Sequence, residues 1–245
     1  MNERLRPEQR KEQILRAALE LFGQQSYEQT SLQDIIDRAG VSKGGFYHYY
    51  GSKAELLEDV ADLMIAQFLT LIERTAARRD LTAAEKFNEH FRVGNQQKQQ
   101  RPQEVMALMF EIYAEDKNVL LEDRVFNGAK KKLLPIIRAV VREGVEDGSF
   151  NTEYPDEAAE FYVDLFLLNQ REASASMAKA LRERDRKEIE RLKRRYAFLQ
   201  QLVEDTFGIA EGVLCIRDIA EETIETMWQS YVGRAGADRE TASEE

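Results

Sequence analysis

Thr30-Ser31-Leu32-Gln33-Asp34-Ile35-Ile36-Asp37-Arg38-Ala39-Gly40-Val41-Ser42-Lys43-Gly44-Gly45-Phe46-Tyr47-His48-Tyr49-Tyr50-Gly51-Ser52-Lys53 is the stretch on which the fold turns. Ser31 followed by Asp34 approximates a capping box and starts a short helix. Ile35, Ile36 and Ala39 give that helix a narrow apolar face, and Gly40 supplies its C-cap. Val41 anchors a tight turn, Ser42 caps a second helix over Lys43–Tyr50, and Ser52 with Glu55 forms another capping box that launches a longer helix. The pattern is helix, turn, helix.

The second helix has an unusual composition for a core element. Gly44 and Gly45 each cost roughly 1 kcal/mol of helix stability relative to Ala, a cost that makes sense where another backbone must come close. Phe46 and Tyr50, four residues apart, share one face and read as core. Tyr47, His48 and Tyr49 cannot all join them, because three consecutive helical residues sweep roughly 200°. Some must face outward, where phenol and imidazole groups can serve phosphate oxygens or base edges. No second His, Cys or paired carboxylate lies near His48 in sequence, so metal binding is not expected.

At these residues the chain resembles the tetracycline-repressor (TetR) family of bacterial regulators. The matching residues are Thr30-Ser31, Ala39-Gly40-Val41-Ser42-Lys43-Gly44, Phe46-Tyr47, Tyr50-Gly51-Ser52-Lys53 and Leu56-Leu57, within a resemblance that runs from about Gln9 to Leu57. The resemblance implies a helix-turn-helix in which Phe46 and Tyr50 face the core and Tyr47, Tyr49 and Lys53 meet phosphates. Gln33, Lys43, Gly44, Gly45 and His48 fall where the family varies with operator sequence. With Thr30, Ser31 and Ser42 these make up the expected DNA-binding set. Tyr49 departs from the pattern, standing where many relatives have His.

Working outward, Arg6 to Gly23 carries the stripe Ile14, Ala18, Leu21 and Phe22 and completes a three-helix head over residues 1–52. Arg4, Arg6, Arg10 and Lys11 are candidates to reach a DNA backbone or a minor groove, although interleaved Glu3, Glu8 and Glu12 fit a solvated face equally well. Lys53 to Arg78 keeps a helical apolar period, and Thr82 with Glu85 starts the next helix, over Ala83 to Gln97. Further helices are expected over Pro102–Glu115, over Asn118–Glu146 with a kink or a split at Pro135, from Pro155 onward, and over Ile216–Val232. Leu181–Arg195 is strongly basic, yet Ile189, Leu192, Tyr196, Leu199 and Val203 make a short heptad stripe that suits packing. Residues 53–233 would form a regulatory and dimerisation body, and Arg234–Glu245, small and charged, a disordered tail.

The composition agrees with an all-α chain: 43% hydrophobic and 33% charged residues, four prolines, and almost no strand-like alternation. A lone cysteine, Cys215, rules out an internal disulfide, and no apolar run approaches a membrane span, so a cytoplasmic protein is expected. The net charge of −10 is uneven. Residues 1–53 hold eight Lys/Arg against seven Asp/Glu, leaving 27 against 38 for the rest. A near-neutral head can bind DNA provided its basic groups sit on the contact face.

In the resembled family, apolar residues of the body line a pocket for an effector. Here that implies Phe87, His90, Phe91, Met106, Met109, Phe110, Tyr113, Phe126, Tyr162 and Phe166, any one of which also reads as ordinary core. Phe166, Met227, Trp228 and Tyr231 are the expected dimer contacts. The partners would be an operator duplex, a second copy of the chain and an apolar or amphipathic small molecule, with no cofactor, metal or membrane. The alternative is an all-helical small-molecule carrier or enzyme with a vestigial head, although the sequence carries no metal-ligand spacing, nucleophile elbow or phosphate-cradling glycine loop.

Overall fold

The computed structural model describes residues 6–100 and 118–241, apart from the side chains of residues 67, 97, 98 and 233–241. Every regular element among them is a helix: α1 (Pro7–Gln25), α2 (Leu32–Ala39), α3 (Lys43–Tyr49), α4 (Lys53–Ala76), α5 (Ala83–Gln100), α6 (Val119–Asp147), α7 (Pro155–Glu183), α8 (Arg186–Phe207) and α9 (Ile216–Thr241). The helix expected over Pro102–Glu115 lies outside the described residues.

The chain divides into two compact units. Residues up to 67 and the stretch 118–129 belong to the first, a head, and residues 68–100 and 130–241 to the second, a body. The head therefore takes in the first part of α4 and of α6, beyond the boundary expected at residue 52.

In the head, Pro7 begins α1 where its missing N–H costs nothing, and Gln9 Oε1 accepts the Arg6 N–H at 2.9 Å. Ile14, Ala18, Phe22, Ile35, Phe46, Leu56 and Leu57 are buried together with Leu121 from α6. Fully burying side chains of this size contributes roughly 1.5–3 kcal/mol each. Ser31 accepts the Asp34 N–H at 3.1 Å, and the Asp34 carboxylate accepts the Ser31 N–H at 2.8 Å. Gly40 closes α2 in the left-handed region (φ 59°), the conformation its C-cap position asked for. Asn118 joins the head from 91 residues away, its Oδ1 accepting the Tyr27 N–H at 3.1 Å.

In the body, the Thr82–Glu85 capping box forms as expected. The helix α6 is continuous through Pro135, so the expected split does not occur: a proline removes one donor, and the neighbouring turns hold the helix together. Gly144 is required because a Cβ there would run into the Phe150 ring, which folds back as the Phe150 N–H bonds the Gly144 carbonyl at 2.9 Å. The basic stretch Leu181–Arg195 straddles a break between α7 and α8: Arg184 adopts φ 54° and Asp185 caps α8 by accepting the Lys187 N–H at 2.9 Å. The heptad stripe of α8 is buried throughout, and α8 packs on α7 and α9. Glu204, itself buried, holds the following loop by accepting the N–H groups of Gly212 and Leu214 at 3.1 Å each. Finally, α9 continues past the expected end at Val232 to Thr241, so residues 234–241 of the expected disordered tail are helical, and the rest of that tail lies outside the described residues.

Candidate functional site

Helix α3 shows how the head divides its aromatics. Phe46 and Tyr50 are buried, and the Tyr50 hydroxyl donates to Asp59 at 3.1 Å. Burial first, then the Asp59 charge, pushes the Tyr50 phenol well above its ordinary value, so it remains protonated. Tyr47 is 48% exposed and His48 is exposed, while Tyr49 is half-buried against the head core. Ser42, Lys43 and Gly44 are exposed, and a Cβ on Gly44 would meet nothing within 4 Å, so its backbone is open to a close neighbour. Ser42 Oγ caps α3 by accepting the Gly45 N–H at 3.0 Å. Gln33, exposed on α2, donates to Asp37 at 2.8 Å.

Two members of the expected DNA-binding set are placed differently. Thr30 is 1% exposed, and its hydroxyl donates to the Ser26 carbonyl at 2.6 Å, so its side chain is spent inside the head. Lys53 lies over the Tyr27 ring at 4.1 Å, and its ammonium donates to the carbonyls of Tyr27 and Thr30, both at 2.7 Å. Burial lowers its pKa and Glu28 partly offsets that. These bonds tie the loop before α2 to the start of α4, which makes Lys53 a clamp behind the exposed face. At the start of α1, Lys11 is also engaged, with Asp59 at 2.7 Å; Arg4 lies outside the described residues.

In the body, Phe87, His90, Phe91, Tyr162 and Phe166 come together as expected, joined by Phe68, Phe150 and Phe207. Phe68 and Phe166 stack with centroids 5.7 Å apart. A recess partly open to solvent, about 300 Å³ with that solvent included, is lined by Phe68, His90, Phe91, Gly94, Asn95, Phe166 and Gln170. His90 also borders a second open-sided recess, of about 220 Å³ counted the same way, toward Lys86 and Phe87, and Asn95 and Gln170 border one of about 370 Å³ toward Tyr196 and Met227. Nε2 of His90 and the hydroxyl of Tyr162 are buried without a partner among the described residues, and leaving such a group unmet costs about 1–3 kcal/mol each. Burial drives the His90 pKa down to about 4 and raises that of Tyr162. Phe126 falls in the head rather than in this cluster, and Met106, Met109, Phe110 and Tyr113 lie outside the described residues. Phe68, Asn95 and Gln170 were not foreseen: one apolar and two amide side chains within helical runs carry no distinguishing signal.

The expected dimer contacts also need correction. Phe166, Met227 and Trp228 are buried within one chain, since the broad apolar faces of α7 and α9 are used against neighbouring helices, and Tyr231 is half-buried. Among the exposed large apolar residues of this region are Phe161 and Leu168 on α7, Phe198 on α8 and Val232 on α9. No helix among the described residues is long and apolar enough to cross a membrane.

Residues 14–60, from the first buried residue of α1 into α4, match the model for bacterial regulatory proteins of the tetR family. The head is similar to that of the tetR family. The match to the uncharacterized HTH-type transcriptional regulator YvdT of Bacillus subtilis is 34% identical over 62 residues, 25% of this chain and 32% of that protein. The fatty acid metabolism regulator protein of the same organism is 25% identical over 142 residues, covering 56% of this chain and 68% of its own. The chain spans about a third of the length of the first three curated relatives it matches. The crystal structure of the transcriptional regulator FadR from Bacillus subtilis, in complex with stearoyl-CoA, superposes with a TM-score of 0.54 at 16% identity, over 88% of this chain and 96% of that one. The likeness to the tetR family thus rests on sequence in the head, and beyond it on fold alone.

Proposed function

We propose that the protein is a transcriptional repressor that binds a palindromic operator as a homodimer and is released by a small effector held in its body. One observation carries the reading. Helix α3 presents Lys43, Gly44, Tyr47 and His48 outward while Phe46 and Tyr50 fix its inner face in a tetR-family head. Tyr47 and Tyr49 contact phosphates, Gln33, Lys43 and His48 reach base edges, and Gly44 and Gly45 let the α3 backbone come close. Ser31 and Ser42 cap the two helices at the surface that meets the backbone.

One recognition helix reads only a few base pairs, whereas a two-fold pair reads two half-sites about 34–36 Å apart. A second copy of the chain is the partner, on the face carrying Phe161, Leu168 and Phe198; the Arg195–Asn169 hydrogen bond (2.8 Å) brings the turn before Phe198 alongside Leu168.

The effector site is the aromatic recess of the body. Phe68 lines it and lies on α4, whose first residue is the clamp Lys53, so a ligand that displaces Phe68 acts on the helix that carries the head. A shift from mostly bound to mostly released needs about 10⁴-fold discrimination between the two states. The stearoyl-CoA held by the Bacillus subtilis regulator supports a body of this fold serving as a receptor.

The test is a fluorescence-anisotropy titration with duplexes selected from a random pool, alongside light scattering. Specific binding that weakens with salt, by a species of about twice 28.3 kDa, is the expected result. Equal affinity for every duplex would remove the regulator reading, and a monomer with and without DNA would remove the dimer.

A further inference from the structure

His90 is 8% exposed, and its ring lies 5.5 Å from Phe68, 5.8 Å from Phe91 and 5.3 Å from Phe166, centroid to centroid. Its Nε2 is buried with no partner among the described residues, and buried polar atoms in folded proteins nearly always have one. The residue that carries this orphan lines two open-sided recesses, one against Phe68, Phe91 and Phe166 and one against Lys86 and Phe87. Among the described residues, no ionised side chain lines the first recess. The cation described on the second, Lys86, is held by both oxygens of Glu143 at 2.5 and 2.6 Å. The imidazole itself is kept neutral by its burial. An anion entering this space would lose its hydration with no charge to replace it. A hydroxyl meets either tautomer of a neutral imidazole, since it both donates and accepts. We infer that the body binds an uncharged amphipathic molecule whose apolar ring system lies against Phe68, Phe91 and Phe166 and whose single hydroxyl is hydrogen-bonded to His90 Nε2. Asn95 and Gln170, shared with the 370 Å³ recess, give such a ligand room for a longer tail.

This deepens the effector reading and rests on it, so the test is made on the full chain without DNA. Three probes of one shape are titrated calorimetrically at pH 7.5: 2-naphthol, 2-methylnaphthalene and 2-naphthoate. We expect 2-naphthol to bind roughly tenfold more tightly than either of the others, the worth of one met buried hydrogen bond. In His90→Phe that preference over 2-methylnaphthalene should vanish. The imidazole ¹⁵N resonance of His90, told from that of His48 by a His48→Ala variant, should move with 2-naphthol and stay still with 2-methylnaphthalene, a readout that does not depend on the His90 variant folding. Naphthoate binding as tightly as naphthol, a preference that survives His90→Phe, an unmoved ¹⁵N resonance at saturation, or no binding of any probe below about 1 mM would each overturn the inference. Operator release by 2-naphthol is then measured separately. Binding at His90 without release leaves this inference standing and sinks the coupling to the head.

Discussion

The interior of the head is built mainly from aliphatic side chains, with side-chain caps at the starts of α2, α3 and α4, whereas the interior of the body is a cluster of aromatic rings bordered by recesses. The head's unpaired buried atoms, Gln13 Oε1 and Asn118 Nδ2, border none of the recesses described, and Asn118 still bonds through its other end. In the body, His90, whose Nε2 has no partner among the described residues, lines two recesses. If the head reads DNA and the body holds an effector, as proposed, the two units solve opposite problems. A surface that reads a rigid duplex must hold its side chains in place, and a receptor must keep unfilled volume and unmet polarity at a cost to its own stability.

If the head is close-packed, Phe46→Ala should destabilise it by about 3–5 kcal/mol and abolish operator binding, read by urea denaturation and anisotropy. A loss under 1 kcal/mol would break the contrast, because it would mean that the head tolerates a void as the body does.

The body should respond to acid. The folded pKa of His90, about 4, lies below its ordinary 6.5, so the unfolded chain takes up the proton first as pH falls. Its contribution to stability is complete above about 6.5 and is lost as pH drops toward 4, by at most about 3 kcal/mol. Thermal melts over that window should show the loss in the wild type and a smaller one in His90→Phe. Identical profiles would mean that His90 is hydrated in the folded chain.

Lys53→Met should weaken operator binding and lower head stability by about 2–3 kcal/mol, because two hydrogen bonds from a charged donor are lost. Here the resemblance and the structure part company. A phosphate ligand would take about one unit off the salt dependence of log K when removed, whereas a clamp leaves the slope unchanged. The unchanged slope is the expected result. Smallest of all, Tyr47→Phe should cost about 1 kcal/mol alike on every sequence, while Lys43→Ala shifts base preference at one position. Anisotropy on a panel of single-substitution operators separates the two.

Local chemistry was readable from the sequence. Ser31 with Asp34, Ser52 with Glu55 and Thr82 with Glu85 announce themselves because the partners stand three residues apart. Phe46 and Tyr50 were readable for the same reason. The Lys53 clamp was not, since its carbonyl partners lie 23 and 26 residues away and a backbone acceptor has no residue type to look for. The dimer contacts failed on a different point. Periodicity says that one face of a helix is apolar but not whether that face meets its own chain or a second copy, and α7 and α9 bury Phe166 and Met227 within one chain.

The bond from Asn118 to Tyr27, with Leu121 buried beside Ile14 and Leu57, bears on how regulators of this kind can be recombined. A graft that joins this head to a foreign receptor at residue 52 severs the head from a piece of its own packing that is encoded more than sixty residues downstream. The transplantable unit is discontinuous. A working chimera must carry residues 118–129 along with the helix-turn-helix, or repair the exposed seam by replacing the apolar residues that Leu121 covers.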